Sequence, residues 1–129
     1  MASTKPSLLI TGISGSLGTS LLPLLEGFNV IGIDTRPPSE SPFPIEFEKS
    51  DMGQESSCHQ MAQILRHTRA VGVVHLAFIL DPIRIGVVDR DRMWRINVAG
   101  TARVLEAIAE ANRMGGRVAK LIHLSSVAV

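Results

Sequence analysis

The sequence predicts an α/β fold, a doubly wound parallel sheet with strand order 3-2-1-4-5 that stops after its fifth strand. Three observations carry this. Short apolar runs alternate with amphipathic segments of helical length across the 129 residues. The chain between successive apolar runs is long enough for crossovers joining parallel strands. Gly12, Gly15 and Gly18 stand where the first apolar run passes into the first helical segment.

The first strand is Ser7 to Thr11 (SLLIT). Leu17, Leu21, Leu24 and Leu25 then recur at helical spacing. Pro23 removes an intrahelical donor there and should kink or shorten the helix. Glu26-Gly27 marks its end and Phe28 to Asp34 a second strand. Thr35 to Pro44, with Pro37, Pro38, Pro42 and Pro44, is a loop too short to separate two cores. Ile45 to Glu48 reads as a short edge strand. Ser56 to Thr68 is a helix with Met61, Ile64 and Leu65 inward and Gln60, Gln63 and Arg66 outward. Ala70 to Leu76 lacks polar alternation and is expected to be a buried strand.

The longest helix is expected over Asp91 to Met114. Arg103, Glu106, Glu110 and Arg113 form its solvated stripe. Met93, Trp94, Val98, Ala102, Val104, Leu105, Ile108 and Ala109 cover an arc wide enough to pack on two sides. Gly115-Gly116 ends it, and Val118 to Leu124 is the last strand.

With 45% hydrophobic residues and a formal charge of +1, residues 1–129 are expected to form one globular unit. No clustered basic excess argues for nucleic acid or an anionic membrane surface. A lone cysteine, Cys58, excludes an internal disulfide, and the apolar runs are too short for a bilayer span. A reducing, cytoplasmic location is the expectation. His59, His67 and His123 show no ligand spacing with Cys58, so no metal site is expected. Arg84, Arg90, Arg92 and Arg95 read as a solvated face, with a substrate phosphate as the alternative partner.

Thr11 to Gly18 is the chemically informative stretch. Gly12 permits a sharp exit from the strand, Gly15 a close approach of backbone to a pyrophosphate, and Gly18 tight packing of helix on sheet. The helix N-terminus supplies N–H groups to the anion, and Ser14 and Ser16 offer hydroxyls. A glycine-rich turn without function has the same spacing; Asp34 shifts the balance. It closes the second strand at nearly the ~20-residue distance expected of the carboxylate that binds an adenosine ribose, and it disfavours an added 2′-phosphate. NAD is therefore expected over NADP. Arg36 keeps NADP as the lesser alternative, because a guanidinium there has the reach of a 2′-phosphate.

Taken together these segments resemble the NAD-dependent epimerase/dehydratase family, the extended short-chain dehydrogenases of the Rossmann fold, over the length of the chain. The Thr-Gly-x-x-Gly-x-x-Gly form of residues 11–18 is the family's own. Ser50-Asp51-Met52 is similar to its adenine-binding acid and following apolar residue, although Asp51 alone also suits a loop acid or helix cap. His75-Leu76-Ala77 matches the end of the fourth strand beside the cofactor, with His75 structural and Phe78 where a small residue is usual. Asn97-Val98-Ala99-Gly100-Thr101 matches the family's Asn-Val-x-Gly-Thr, in which Asn97 ties the helix to the sheet and lines the cofactor site. His123-Leu124-Ser125-Ser126 matches the fifth strand and the loop bearing the active-site serine.

The resemblance implies a cofactor site of Gly12, Ser14, Gly15, Ser16, Leu17, Gly18, Asp34, Thr35, Arg36, Asp51, Met52, Leu76, Ala77, Phe78, Asn97 and Ser125, with Ser126 as the catalytic serine holding the reacting oxygen. It also implies hydride transfer on a small-molecule substrate, with nucleotide-sugars the commonest class, and a homodimer through the helix of residues 91–114. The family's proton transfer uses a Tyr-x-x-x-Lys, and this sequence has no tyrosine. The chain is accordingly expected to be inactive alone and to be the front part of a longer enzyme. A regulatory module that binds dinucleotide without turning it over, or a functionless truncation, are the alternatives.

Overall fold

The computed structural model describes residues 5–79 and 90–124. β1 (Ser7–Thr11), β2 (Asn29–Asp34), β3 (Glu46–Lys49), β4 (Gly72–His75) and β5 (Lys120–His123) form one parallel sheet in the predicted order β3-β2-β1-β4-β5. Every strand except β1 is shorter than the apolar run that announces it or displaced by a residue, because an apolar side chain is equally content just beyond the last ladder hydrogen bond.

Alternation of side chains along the strands divides the core between the two faces of the sheet. Leu9, Ile31, Ile33 and Val73 lie on one face beneath α2 (Ser56–Thr68) and the C-terminal part of the long helix. Ile10, Val30 and Val74 lie on the other with Ile13 and Leu22. Gly32 shares that second face, and Ile13 fills its place: a Cβ on Gly32 would come within 2.8 Å of the Ile13 side chain. α2 matches its expected bounds, and Met61, Ile64 and Leu65 are buried as predicted, together with Ser57 and Ala62.

Two helices depart from expectation. α1 is α-helical only over Ser16–Leu21 and continues as a 3-10 turn, Leu22–Leu25, with Pro23 near its start. Pro23 thus shortens the helix as predicted, at a position where the missing N–H costs little. The tighter turn rotates the leucines: Leu22 is buried, whereas Leu24, read as part of the helical face, is 77% exposed. The long helix runs as α3 (Arg90–Met93), a π-helical segment (Trp94–Ala99) and α4 (Gly100–Arg113). Hydrophobic periodicity does not reveal one extra residue in a turn, so the sequence suggested an unbroken α-helix. Met114 caps α4, Gly115 takes φ +94°, and the Gly116 N–H returns to the Ala111 carbonyl, the glycine stop predicted.

Among the described residues, only one side of the long helix is covered. Val104, Ala107 and Ala111 are buried against α2 and the sheet, while Trp94, Val98 and Leu105 are each more than half exposed. Among the described residues, no helix is long and apolar enough to cross a membrane.

Candidate functional site

Strand order reverses direction between β1 and β4, and the chain leaves both strands at the same end of the sheet. In doubly wound sheets this switch point opens a crevice. Gly12 leaves β1 with φ +71°, and a Cβ there would lie 2.8 Å from the Ala77 nitrogen and the Leu76 carbonyl carbon. Only glycine suits both the conformation and this approach of the two backbones. Gly18 is held as closely on the helix side, where a Cβ would lie 2.5 Å from the Ile13 carbonyl oxygen.

Thr11, fully buried, locks the two strand ends together. Its hydroxyl oxygen accepts from the Leu76 N–H at 3.0 Å and the Ala77 N–H at 3.1 Å, so its own proton goes to His75 Nδ1 at 2.6 Å. His75 is then the Nε2–H tautomer and donates to Thr101 Oγ1 at 2.9 Å, and Thr101 donates to the Asn97 carbonyl at 2.7 Å. The direction of every proton follows from the first two donors, and the chain requires a neutral imidazole. Burial, and secondarily His123 stacked on the ring with centroids 5.5 Å apart, lowers the His75 pKa to about 4. His75 is structural, as expected.

Asp34 ends β2 facing the glycine loop. Its Oδ2 accepts the Ser14 N–H at 3.0 Å and its Oδ1 the Thr35 N–H at 2.7 Å. Oδ1 also receives the Thr35 hydroxyl at 3.4 Å, so Oδ2 is the oxygen that keeps a second acceptor direction for a diol. Ser14, expected to offer its hydroxyl to a pyrophosphate, donates it to the Arg36 carbonyl, because the loop folds back on the end of β2. Gly15 is the N-cap of α1 and no side chain caps the helix, which leaves the N–H groups of the first turn without an intrahelical partner.

Beside Asp34, whose carbonyl accepts the Ser50 N–H at 2.8 Å, Asp51 turns the chain after β3. Its Oδ1 accepts the Gly53 N–H at 2.8 Å and its carbonyl accepts the Gln54 N–H at 3.0 Å. Met52 is buried, and its carbonyl receives Arg103 Nη1 at 2.7 Å. Arg103 is therefore only half-exposed and tethered, contrary to its expected place on a solvated stripe: its long side chain spans from α4 to the turn. Asn97 clasps the Ile79 backbone in both directions, with N–H to Oδ1 at 2.9 Å and Nδ2 to carbonyl at 2.8 Å. Its side chain ties the helix to the segment following β4.

A cavity of about 470 Å³ occupies the crevice, within the usual range of ligand pockets. Of the predicted cofactor residues it collects Gly12, Ser14 and Gly15 from the glycine turn, Asp34, Thr35 and Arg36 after β2, Asp51 and Met52 after β3, and Leu76, Ala77 and Phe78 after β4. Ser16 and Leu17 are exposed on the first turn of α1, and Gly18 is buried beneath it. Asn97 does not line the cavity, its amide being committed to Ile79. Ser125, Ser126 and Arg84 lie outside the described residues. Arg90, Arg92 and Arg95 are exposed, as a solvated face requires, and Arg92 also reaches the cavity lining. Sequence reasoning missed Ile33, Ser50, Ile79 and Ile96 as lining residues; Ile96 arrives there through the π-helical segment. Among the described residues, no group of three or more His, Cys, Asp or Glu is placed to hold a metal ion.

No curated protein matches the chain by sequence. Solved structures do match by shape. A short chain dehydrogenase family protein from Francisella tularensis superposes with a TM-score of 0.75 at 20% identity, covering 98% of this chain and 55% of that one. A short chain dehydrogenase from Leptospira borgpetersenii with bound NAD+ gives 0.77 at 19%, covering 95% and 52%. MoeE5 in complex with UDP-glucose and NAD gives 0.74 at 26%, covering 95% and 37%. The chain thus spans between about a third and just over half of the length of these proteins. The family model described as NAD dependent epimerase/dehydratase family matches residues 8–129. A match over nearly the whole chain, on a fold whose glycine turn, switch-point crevice and carboxylates lie where the motifs predict them, establishes that the chain belongs to the NAD dependent epimerase/dehydratase family, whose cofactor is NAD.

Proposed function

We propose that the chain is the NAD-binding part of an epimerase/dehydratase-type oxidoreductase that acts by hydride transfer on a hydroxyl-bearing small molecule, a nucleotide-sugar in the first instance. The observation that carries this is the cavity at the switch point, lined by the glycine turn and by Asp34 and Asp51 from the ends of the neighbouring strands β2 and β3. The residues suit the cofactor. The uncapped first turn of α1 offers N–H donors to a pyrophosphate, Asp34 accepts from the adenosine ribose diol, and Asp51 accepts from the adenine amino group. Leu76 and Ala77, held by Thr11, and Phe78 after them would line the dinucleotide. NAD, when bound, supplies the hydride acceptor. Ser126 holds the reacting oxygen, with Ser125 beside it.

The family's proton transfer at the substrate hydroxyl uses a tyrosine, and the 129 residues contain none. UDP-glucose in MoeE5 supports a nucleotide-sugar as substrate. The uncovered apolar face at Trp94, Val98 and Leu105 supports a homodimer through the long helix, and the single cysteine supports a cytoplasmic location. Light scattering that finds only monomer at high concentration removes the dimer.

Calorimetric titration of the chain and an Asp34→Ala variant with NAD and NADP tests the reading. NAD is expected to bind, and about tenfold more weakly to the variant, the loss of one to two hydrogen bonds to a charged group. Equal or tighter binding of NADP by the unsubstituted chain overturns the cofactor preference. Nicotinamide fluorescence in the presence of candidate substrates separates an enzyme, which reduces NAD, from a binding module, which does not.

A further inference from the structure

The turn of Asp51, Met52 and Gly53 packs directly against the π-helical segment at the edge of the cavity, and one guanidinium joins them. Arg103 Nη1 donates to the Met52 carbonyl at 2.7 Å and approaches the Arg95 carbonyl at 3.4 Å. The Arg95 carbonyl already accepts the Gly100 N–H, the bond that closes the widened turn. Gly100 is what allows the approach, since a Cβ on it would lie 3.2 Å from the Met52 oxygen and 3.3 Å from the Met52 Cβ. Met52 is itself buried in the core, so the turn has one seat. Asp51 and Ile96, neighbours of the two carbonyls that Arg103 bridges, both line the cavity.

We infer that Arg103 is a positioning residue for recognition of the adenine end: by holding the Met52 carbonyl against the π-helical segment it sets where the Asp51 carboxylate stands relative to Ile96. A charge-assisted hydrogen bond is the right tool, being short, directional and stronger than a neutral one. Asp51 is anchored to its own turn through Oδ1, which accepts the Gly53 N–H, so its carboxylate meets an adenine amino group only if the turn keeps its seat. Arg103 touches neither the cofactor nor the substrate in this scheme. The inference rests on the proposed NAD reading.

The test compares NAD with nicotinamide hypoxanthine dinucleotide, in which an oxygen replaces the adenine amino group, as ligands of the chain and its Arg103→Met variant, with thermal melting as a control for folding. The unsubstituted chain is expected to prefer NAD by about tenfold. Arg103→Met is expected to bind NAD about tenfold more weakly while its affinity for the hypoxanthine analogue changes less than about twofold, so that the preference collapses. Equal weakening toward both dinucleotides, or none toward either, overturns the inference. If Arg103→Met does not fold, Arg103→Lys decides: a preference between those two limits supports the positioning role, and an unaltered preference refutes it. Absence of any NAD binding by the unsubstituted chain sinks the cofactor reading and this inference with it, whereas equal weakening sinks this inference alone.

Discussion

The two flanks of the cavity are built by different means. On the β1–β2 flank the work is done by backbone: Gly12 and Gly18 admit contacts that a Cβ would forbid, and Asp34 is held by N–H groups of Ser14 and Thr35. On the β4–α4 flank it is done by side chains paired across long stretches of sequence: Thr11 with His75, His75 with Thr101, Asn97 with Ile79, and Arg103 with Met52. At Gly12 and Gly18 the backbone flank tolerates no added atom. A side-chain flank tolerates shape changes but not the loss of a donor or acceptor.

Four substitutions or conditions break or sharpen this contrast. The largest effect is expected from Gly12→Ala, which meets both a positive φ and a backbone contact at 2.8 Å. Urea denaturation should show a loss of about 3 kcal/mol or more. A loss below about 1 kcal/mol would mean that the strand ends can separate, and the backbone flank is then no stiffer than the other. Next is Thr11→Val, similar in shape but without the hydroxyl that serves Leu76, Ala77 and His75. About 2–3 kcal/mol should be lost, chiefly because buried donors lose their acceptor. Near-neutral behaviour in the same assay would remove the hydroxyl from the account of this flank.

The pH dependence of stability comes third. With a folded pKa of about 4 against 6.5 for the free side chain, His75 is neutral in both states above pH 6.5 and contributes no slope there. Between these values the unfolded chain binds a proton that the folded chain refuses, so stability falls as pH falls, by up to about 1.4 kcal/mol per pH unit. His75→Gln should flatten the melting-temperature profile across that window relative to the unsubstituted protein. Parallel profiles would show that His75 is protonated in the folded state and that its hydrogen-bond chain runs otherwise. The smallest effect is expected for Gly27→Ala. A Cβ there has nothing within 4 Å and φ is not positive, so the change should be neutral or stabilising by up to about 1 kcal/mol. A clear drop in melting temperature would show that glycine matters beyond the strand ends.

The same division explains what could be read in advance. Strand order, the α2 boundaries and the glycine turn with Asp34 were legible, because each depends on residues close in sequence and on spacing. Asp51, Met52, Leu76, Ala77 and Phe78 were placed on the cavity through family resemblance, motif by motif. The course of the long helix was not legible: Trp94 to Ala99 has ordinary helical periodicity, and nothing local announces a π-helical turn. Arg103 looked solvated because helical spacing placed it beside Glu106 and Glu110, and its carbonyl partners lie elsewhere in the chain. Asn97 was read as both tether and cavity residue; packing spends its amide on Ile79.

Sequence alone determined the layered α/β architecture, the order of the strands and the end of the sheet at which a nucleotide site belongs, because hydrophobic period, crossover length and glycine spacing are local properties that the fold can satisfy in one way. Tertiary structure decided which protons run along Thr11, His75 and Thr101, which leucine of the first helix is buried, and which carbonyls Arg103 holds. These depend on distances between residues far apart in the chain, and such distances exist only once the sheet and its helices have packed.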